Sequence, residues 1–254
     1  MASGSDNLDP IHQFEIQKIF PMELFGYDTS FTNSSLFMVI AVTLISAFLI
    51  FSMRGRALVP GRWQNLAELF YEFVANLLRN ILGEEGMKFF PLVFTLFLFI
   101  LFCNFLGMLP GSFTVTSHLV VTAALSLLVM AIVIGYGFYK NGLGFLKLFV
   151  PSGVPWPMLI ILVPIEVISF MARPVSLSIR LFANMLAGHI TLKVFAGFII
   201  TLAGAGGFLS ALSVGPLILG VALTAMEFLV AFLQAFIFAT LTCIYLNDAM
   251  HPSH

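Results

Sequence analysis

Residues 158–200 decide the fold of this chain; they read MLIILVPIEVISFMARPVSLSIRLFANMLAGHITLKVFAGFII. A membrane-spanning helix needs about 20 apolar residues, and a helix of this length would extend about 64 Å, twice the thickness of the hydrocarbon layer. Two separate spans would need a polar turn midway, and the stretch offers only Ala-Arg-Pro at 172–174. The sequence therefore predicts one long helix that tilts far from the membrane normal.

The composition of the whole chain is that of a membrane protein. Of its 254 residues, 60% are hydrophobic and 9% are charged, and the mean hydropathy is +1.05. Soluble domains carry about 25% charged residues. This balance excludes a soluble enzyme, a nucleic-acid-binding protein and a disordered chain. Cys103 and Cys243 lie in apolar stretches and are interpreted as small core residues, not as a disulfide or a metal site.

The other apolar stretches predict an all-α polytopic membrane protein with five membrane helices. The predicted spans are residues 36–53, 89–108, 119–139, 158–200 and 208–247, within a single membrane domain over 36–254. The last two are separated by the small-residue turn TLAGAGG and are expected to form a strongly tilted hairpin. Prolines 164, 174 and 216 are expected to allow bends in them.

Residues 61–82 contain charges, yet they repeat apolar residues at helical spacing. This pattern predicts an amphipathic helix at the membrane surface. An ordinary connecting helix packed on the bundle is the alternative.

The distribution of basic residues predicts the orientation in the membrane. Between the first two spans lie Arg54, Arg56, Arg62, Arg79 and Lys88. The loop GSFTVTSH after the second span has no Lys or Arg. Because basic loops stay in the cytoplasm, residues 1–35 are expected to face outward and the C-terminus to be cytoplasmic. The N-terminus has no basic region followed by an apolar core, so no cleaved signal peptide is expected.

The predicted helix over 158–200 carries a polar stripe. At about 100° per residue, six polar residues fall within an arc of roughly 80°. They are Glu166, Ser169, Arg173, Ser176, Arg180 and Asn184. Charged groups are costly in hydrocarbon, so this stripe is expected to face a partner helix or a water-filled path.

A looser stripe lies on the last predicted helix, where Phe238 interrupts it. Its members are Glu227, Gln234, Thr242 and Tyr245. Antiparallel packing of the two long helices would let the stripes face each other near Arg180 and Gln234.

Each charged residue of these helices also has a simpler interpretation. Arg173 and Lys193 are long enough to snorkel to the two interfaces. Glu166 suits the cytoplasmic surface. Arg180 suits a structural ion pair with Glu166 or Glu227.

No sequence motif for covalent chemistry is present. The chain has no phosphate-binding glycine loop, zinc cluster or nucleophile elbow, so no catalytic residue, metal or cofactor is predicted. His118 and His189 are the only histidines expected near membrane depth. Two such histidines are able to ligate one haem, and an imidazole suits proton handling at least as well.

Three segments resemble subunit a of the F-type ATP synthase. PVSLSIRLFANMLAG at 174–188 resembles the signature of that family, and LQAFIFATLTCIYL at 233–246 looks like its last helix. NFLGMLPGSFTVTSHL at 104–119 is similar to the bacterial and mitochondrial members, the alphaproteobacterial ones in particular. The resemblance covers nearly the whole chain, from Phe37 to Asn247.

The resemblance implies a non-catalytic, proton-translocating stator subunit of a rotary motor in a bacterial inner membrane. In this family, protons enter by one aqueous half-channel, neutralise a carboxylate on a ring of c subunits, and leave by a second half-channel after the ring has turned. The implied partners are the c-ring, b-type subunits of the peripheral stalk, the rest of the complex, membrane lipid and the transported proton. Nucleic acid is not among them, and the net charge of −1 agrees.

The resemblance also implies roles for individual residues. Arg180 matches the arginine that meets the ring carboxylate between the half-channels. The half-channels are assigned to Asn104, His118, Glu166, Ser169, Arg173, Ser176, Asn184, His189, Glu227, Gln234 and Tyr245. Several bacterial relatives have the order of His189 and Glu227 reversed. Gly107 stands where some relatives have an acid, and His118 is a candidate to compensate for it at the outer entrance.

Three rival functions remain at this point. A sodium-translocating member of the same family is the nearest, since the ring subunit largely chooses the ion. A secondary transporter or antiporter-like respiratory subunit would show internal repeats, which are not apparent here. A structural scaffold would not need a lone arginine on a polar stripe.

Overall fold

The fold is known from a computed structural model. It describes residues 18–20, 23–24, 27–28, 30–54, 60–109, 112–150, 156–206 and 208–251. The α-helices are α1 (Asn33–Met53), α2 (Arg62–Leu82), α3 (Phe90–Gly107), α4 (Leu119–Asn141), α5 (Trp156–Gly204), α6 (Phe208–Leu212) and α7 (Val214–Met250). Short 3-10 helices cover Glu84–Phe89, Val115–Ser117 and Gly142–Phe149.

Five helical stretches of the described chain are long and apolar enough to cross a membrane. They are Asn33–Met53, Glu84–Gly107, Leu119–Phe149, Pro157–Gly204 and Ser210–Met250. The prediction of an all-α polytopic membrane protein with five membrane helices is therefore confirmed.

Short strands precede α1, and the sequence analysis did not foresee them. They are β1 (Lys18–Phe20), β2 (Glu23–Leu24), β3 (Tyr27–Asp28) and β4 (Phe31–Thr32). β1 pairs antiparallel with β4, and β2 with β3. Strands of two or three residues are too short for an alternating pattern to reveal them. Thr32 then caps α1, because its Oγ1 accepts a hydrogen bond from the Ser35 backbone N–H at 3.4 Å.

α5 is one helix of 49 residues with Pro164 and Pro174 in its interior, as the single-helix prediction requires. The second long stretch differs from the prediction, because it divides at Ser213 into α6 and α7. Pro216 lies in the first turn of α7, where a missing N–H costs little, and three residues after the interruption at Ser213. The turn after α5 includes Gly206 at φ 69°, a left-handed conformation that favours glycine.

The chain forms two compact units. The first takes its described residues from Met1–Thr43, Ile100–His118 and Leu181–Gln234. The second takes them from Leu44–Phe99, Leu119–Arg180 and Ala235–His254. The helices α1, α3, α5 and α7 each contribute residues to both.

The amphipathic helix α2 packs into the second unit through one face. Phe70 and Phe73 lie with their ring centroids 6.1 and 5.7 Å from that of Phe97 on α3. Phe97 is fully buried, whereas Trp63 at the start of α2 is 70% exposed. α2 therefore packs on other helices, as its interpretation as a connecting helix predicts, and also has an exposed face.

The aromatic contacts of Phe97 lead to a stability prediction. Phe97→Ala removes the ring that both α2 phenylalanines contact, and we expect a loss of about 3 kcal/mol from the free energy of unfolding. The measurement is the midpoint temperature of thermal unfolding of the purified protein. Phe51→Ala on α1, where the ring is 69% exposed, is the matched control and should leave that temperature nearly unchanged. Equal shifts in the two variants would contradict the proposed packing role.

Candidate functional site

An acid and an imidazole lie together inside the first unit. His189 on α5 and Glu227 on α7 have their Nδ1 and Oε1 atoms 3.6 Å apart, and their side chains are only 9% and 5% exposed. Neither carboxyl oxygen of Glu227 has a hydrogen-bond partner among the residues that the structure describes. An isolated charge on a buried carboxyl group without such partners is energetically costly. The pair is therefore suited to exchange a proton, which leaves fewer charges buried.

The loop between α3 and α4 folds back onto this pair. Thr114 is fully buried, and its Oγ1 lies 3.1 Å from Nε2 of His189. The same hydroxyl donates to the backbone carbonyl of Gly107 at 3.3 Å. Ser117 holds the segment in place, since its hydroxyl donates to the Thr114 carbonyl at 2.6 Å. Thr114 was not predicted as a site residue, because a threonine in a connecting loop carries no signal of its own.

Asn104 joins three segments of the first unit. It is fully buried on α3, and its Nδ2 donates to the backbone carbonyl of Ala231 on α7 at 3.1 Å. Its Oδ1 accepts a hydrogen bond from the Thr116 hydroxyl at 2.8 Å. Both ends of the amide are thus satisfied by protein groups, and the contacts tie the loop and α7 to α3.

A cavity of about 210 Å³ lies beside Glu227, between α5 and α7. It is lined by Asn184, Ala187, Gly188, Thr191, Leu192, Leu223, Met226, Glu227 and Val230. Because a water molecule occupies about 30 Å³ in the liquid, this space accommodates several of them next to polar side chains. A Cβ atom at Gly188 would lie 2.7 Å from Oε1 of Glu227, so any other residue would require the carboxyl group to shift.

Arg180 on α5 is exposed. Its side chain makes no ion pair or hydrogen bond with any residue in the described part of the chain, so the alternative of an ion pair with Glu166 or Glu227 is not observed. Ser176 and Asn184, one turn before and after it, are exposed as well. Since a charge on a membrane-spanning helix needs a partner or water, this face of α5 requires water or a group beyond the described residues.

Arg173 has a partner that the sequence analysis did not identify. Its Nη1 lies 2.6 Å from Oδ2 of Asp248, and the two side chains are 22% and 19% exposed. The guanidinium carbon is 5.1 Å from the ring centroid of Tyr245 and 5.5 Å from that of Phe170. Asp248 lies one residue beyond the predicted last span, where an acid reads as an ordinary surface group.

The remaining predicted residues are placed as follows. Gln234 and Tyr245 are buried, Glu166 is half-buried, and Ser169 is exposed. His118 is half-buried and stacks on Phe113 with the ring centroids 4.8 Å apart. Burial lowers the pKa of the His118 imidazole, which favours its neutral form at pH 7.

The haem alternative is not supported by these positions. Both ring nitrogens of His189 face protein groups, Thr114 on one side and Glu227 on the other. No group of three His, Cys, Asp or Glu residues in the described part of the chain is arranged to hold a metal ion.

The fold and this site define a polytopic helical membrane protein with ionisable side chains inside its spanning helices. A family model described as "ATP synthase A chain" matches residues 35–247. The chain belongs to this family, that of subunit a in the membrane sector of ATP synthases.

Curated relatives support the assignment. ATP synthase subunit a of Mesorhizobium japonicum is 62% identical over 251 residues, which are 99% of this chain and 100% of the relative. The subunit a of Allorhizobium ampelinum is 62% identical over 248 residues, which are 96% of this chain and 98% of the relative. That of Maricaulis maris is 59% identical over 254 residues, with coverages of 97% and 98%.

The Arg173–Asp248 contact leads to a stability prediction. Asp248→Ala leaves a mostly buried guanidinium without its counter-ion, and we expect a loss of about 3 kcal/mol in stability. Glu84→Ala is the matched control, because it breaks the exposed 3.5 Å pair with Arg79 and should cost less than about 1 kcal/mol. Thermal dissociation of the purified complex provides the measurement, and equal effects would refute a structural role of the buried pair.

Proposed function

We propose that this chain is the proton-translocating stator subunit of a rotary F-type ATP synthase, lying beside a ring of c subunits in a bacterial inner membrane. Two aqueous half-channels lead to the ring, and Arg180 separates them. The N-terminal segment 1–35 is periplasmic, the single membrane domain covers 36–254, and the C-terminus is cytoplasmic. The observation that carries the proposal is the exposed Arg180 on α5, which lacks a partner among the described residues.

The chemistry of arginine suits the barrier between two half-channels. A guanidinium does not give up its proton at accessible pH, so it cannot relay protons itself. Its positive charge repels protons from a direct path and stabilises the ionised form of an arriving ring carboxylate. The driving force is about 2.3 kcal/mol per proton for each 100 mV. When the arginine is exposed and hydrated, its attraction to a ring carboxylate stays comparable with this free energy per proton. A dry ion pair between the two groups would hold the ring in place.

The entry half-channel is supported by the contacts of the first unit. His189 and Glu227 form the ionisable pair, and the cavity beside Glu227 reaches Asn184, four residues after Arg180 on α5. The entry half-channel is also assigned His118, Asn104 and Gln234. Protons then pass from the pair through water in the cavity to the ring carboxylate.

The exit half-channel is assigned to residues of the second unit. They are Glu166, Ser169, Arg173, Ser176 and Tyr245. The ion pair with Asp248 supports a fixed position for Arg173 and Tyr245 there. Ser169 and Ser176 are exposed, which is consistent with a wetted surface that an adjacent ring covers.

The acid–imidazole pair favours protons over sodium as the coupling ion. A proton passes directly between a carboxyl group and an imidazole nitrogen, whereas sodium requires several oxygen ligands at one point. ATP-driven ion pumping is accordingly expected to be independent of added sodium.

The first functional prediction concerns the barrier. In an assembled complex, Arg180→Ala should abolish ATP-driven acidification of inverted membrane vesicles. The positive charge that stabilises the ionised form of each arriving ring carboxylate is then missing. Assembly is checked by co-purification of the c-ring and the peripheral ATPase. Arg79→Ala on α2, which removes an arginine that is 52% exposed, is the matched control and should acidify normally. Normal acidification in Arg180→Ala would refute the proposed role of this residue.

The second prediction concerns the space beside Glu227. Gly188→Ala places a methyl group 2.7 Å from the original position of Oε1, so the carboxyl group must move away from His189. We expect acidification to fall about tenfold, as for a small displacement of a reacting group. Gly197→Ala, later on α5 with open space around its Cβ position, is the control and should pump normally. Equal rates in the two variants would show that the position of the Glu227 carboxyl group does not matter.

A further inference from the structure

Thr114 brings a hydroxyl group within hydrogen-bond distance of the His189–Glu227 pair. It is fully buried in the loop between α3 and α4. Its Oγ1 lies 3.1 Å from Nε2 of His189, on the side of the ring away from the 3.6 Å contact between Nδ1 and Glu227. The imidazole is thus held between a hydroxyl group and a carboxyl group.

The direction of the hydrogen bonds at Thr114 follows from the number of protons available. A hydroxyl group has one proton to donate and lone pairs to accept with. The backbone carbonyl of Gly107, 3.3 Å away, only accepts, so the hydroxyl group satisfies it by donating its proton there. The oxygen is then left to accept from Nε2–H of His189. In a neutral imidazole only one nitrogen carries a proton, so Nδ1 is unprotonated and faces Glu227.

We propose that Thr114 is a positioning residue for proton transfer, selecting the tautomer of His189 in which Nδ1 exchanges a proton with Glu227. The inference rests on the proton-translocating function proposed above. When Glu227 carries the proton, Nδ1 accepts it, and the resulting imidazolium donates from both nitrogens, to Thr114 and to the carboxylate. When the proton returns, the ring relaxes to the same tautomer. Without the hydroxyl group, the neutral ring is free to keep a proton on Nδ1, where it blocks acceptance from Glu227.

The packing around Thr114 supports a fixed orientation of its side chain. A Cβ atom at Gly107 would lie 2.7 Å from the Thr114 methyl carbon and 3.0 Å from its Oγ1. Glycine at position 107 therefore makes room for the threonine side chain against α3. Ser117 holds the Thr114 carbonyl through both its hydroxyl and its backbone N–H, at 2.6 and 3.2 Å. The hydroxyl group is thus constrained at both the backbone and the side chain.

The test compares three variants in the assembled complex, with ATP-driven acidification of inverted vesicles as the readout. Thr114→Val keeps the shape and removes the hydroxyl group, and we expect acidification to fall about tenfold. Thr114→Ser keeps the hydroxyl group and should acidify like the unchanged protein. Thr122→Val is the matched control: it removes another fully buried threonine hydroxyl, 3.1 Å from that of Ser178 in the second unit, and should have little effect.

Several outcomes would overturn the proposal. Normal acidification in assembled Thr114→Val would do so, as would equal losses in Thr114→Val and Thr114→Ser. An equal loss in Thr122→Val would show that removing any buried hydroxyl group is sufficient to reduce acidification. His189→Gln separates this proposal from the proton-translocating function. Normal pumping in that variant would refute the proposed proton relay through His189. Impaired pumping there beside normal pumping in Thr114→Val refutes only the role of Thr114.

A direct measurement of the tautomer does not depend on the folding of Thr114→Val. Nitrogen-15 NMR of the histidine-labelled complex distinguishes protonated from unprotonated ring nitrogens, and His189→Gln identifies the His189 signals by their loss. We expect the neutral ring to carry its proton on Nε2. A neutral ring protonated on Nδ1 would refute the proposal.

Discussion

An ionisable side chain within the apolar helices of this protein must be paired, hydrated or presented to a partner, because an isolated charge in hydrocarbon is costly. The chain meets this constraint in three ways. Arg173 is paired with Asp248 and flanked by aromatic rings. His189 and Glu227 face each other beside a cavity that accommodates water. Arg180 is the one ionisable residue described on α5 that is exposed, and the proposed function follows from that difference.

Glycine is the residue that lets these polar groups come together. Gly188 leaves space for the carboxyl group of Glu227 on the facing helix. Gly107 leaves space for Thr114, whose hydroxyl group reaches His189. The sequence analysis treated Gly107 as the loss of an acid found in some relatives, with His118 as a candidate substitute. The structure shows that the space at Gly107 is filled by Thr114, a neutral side chain, and that His118 stacks on Phe113.

The helices were predictable because long apolar runs leave few other solutions in a membrane. The same pattern identified α5 as one helix and showed that Glu227 and the polar stripe of α5 needed an explanation. Thr114 and Asp248 were not predictable, since their importance comes from contacts made by residues distant in sequence. A bend was expected at Pro216, but the interruption three residues earlier, at Ser213, was not predicted, because no polar segment marks it. The strands before α1 were missed because backbone pairing over two or three residues needs no particular side chains.

The two prolines inside α5 have a mechanical consequence. Each lacks an N–H group and so leaves the carbonyl four residues earlier, at Ile160 and Phe170, without its usual helical hydrogen bond. A helix is easier to bend where such a bond is missing. Both positions precede Arg180 in the chain, and no proline follows it within the helix. In the proposed role as a stator, α5 therefore bends more easily in the segment before Arg180 than in the segment after it.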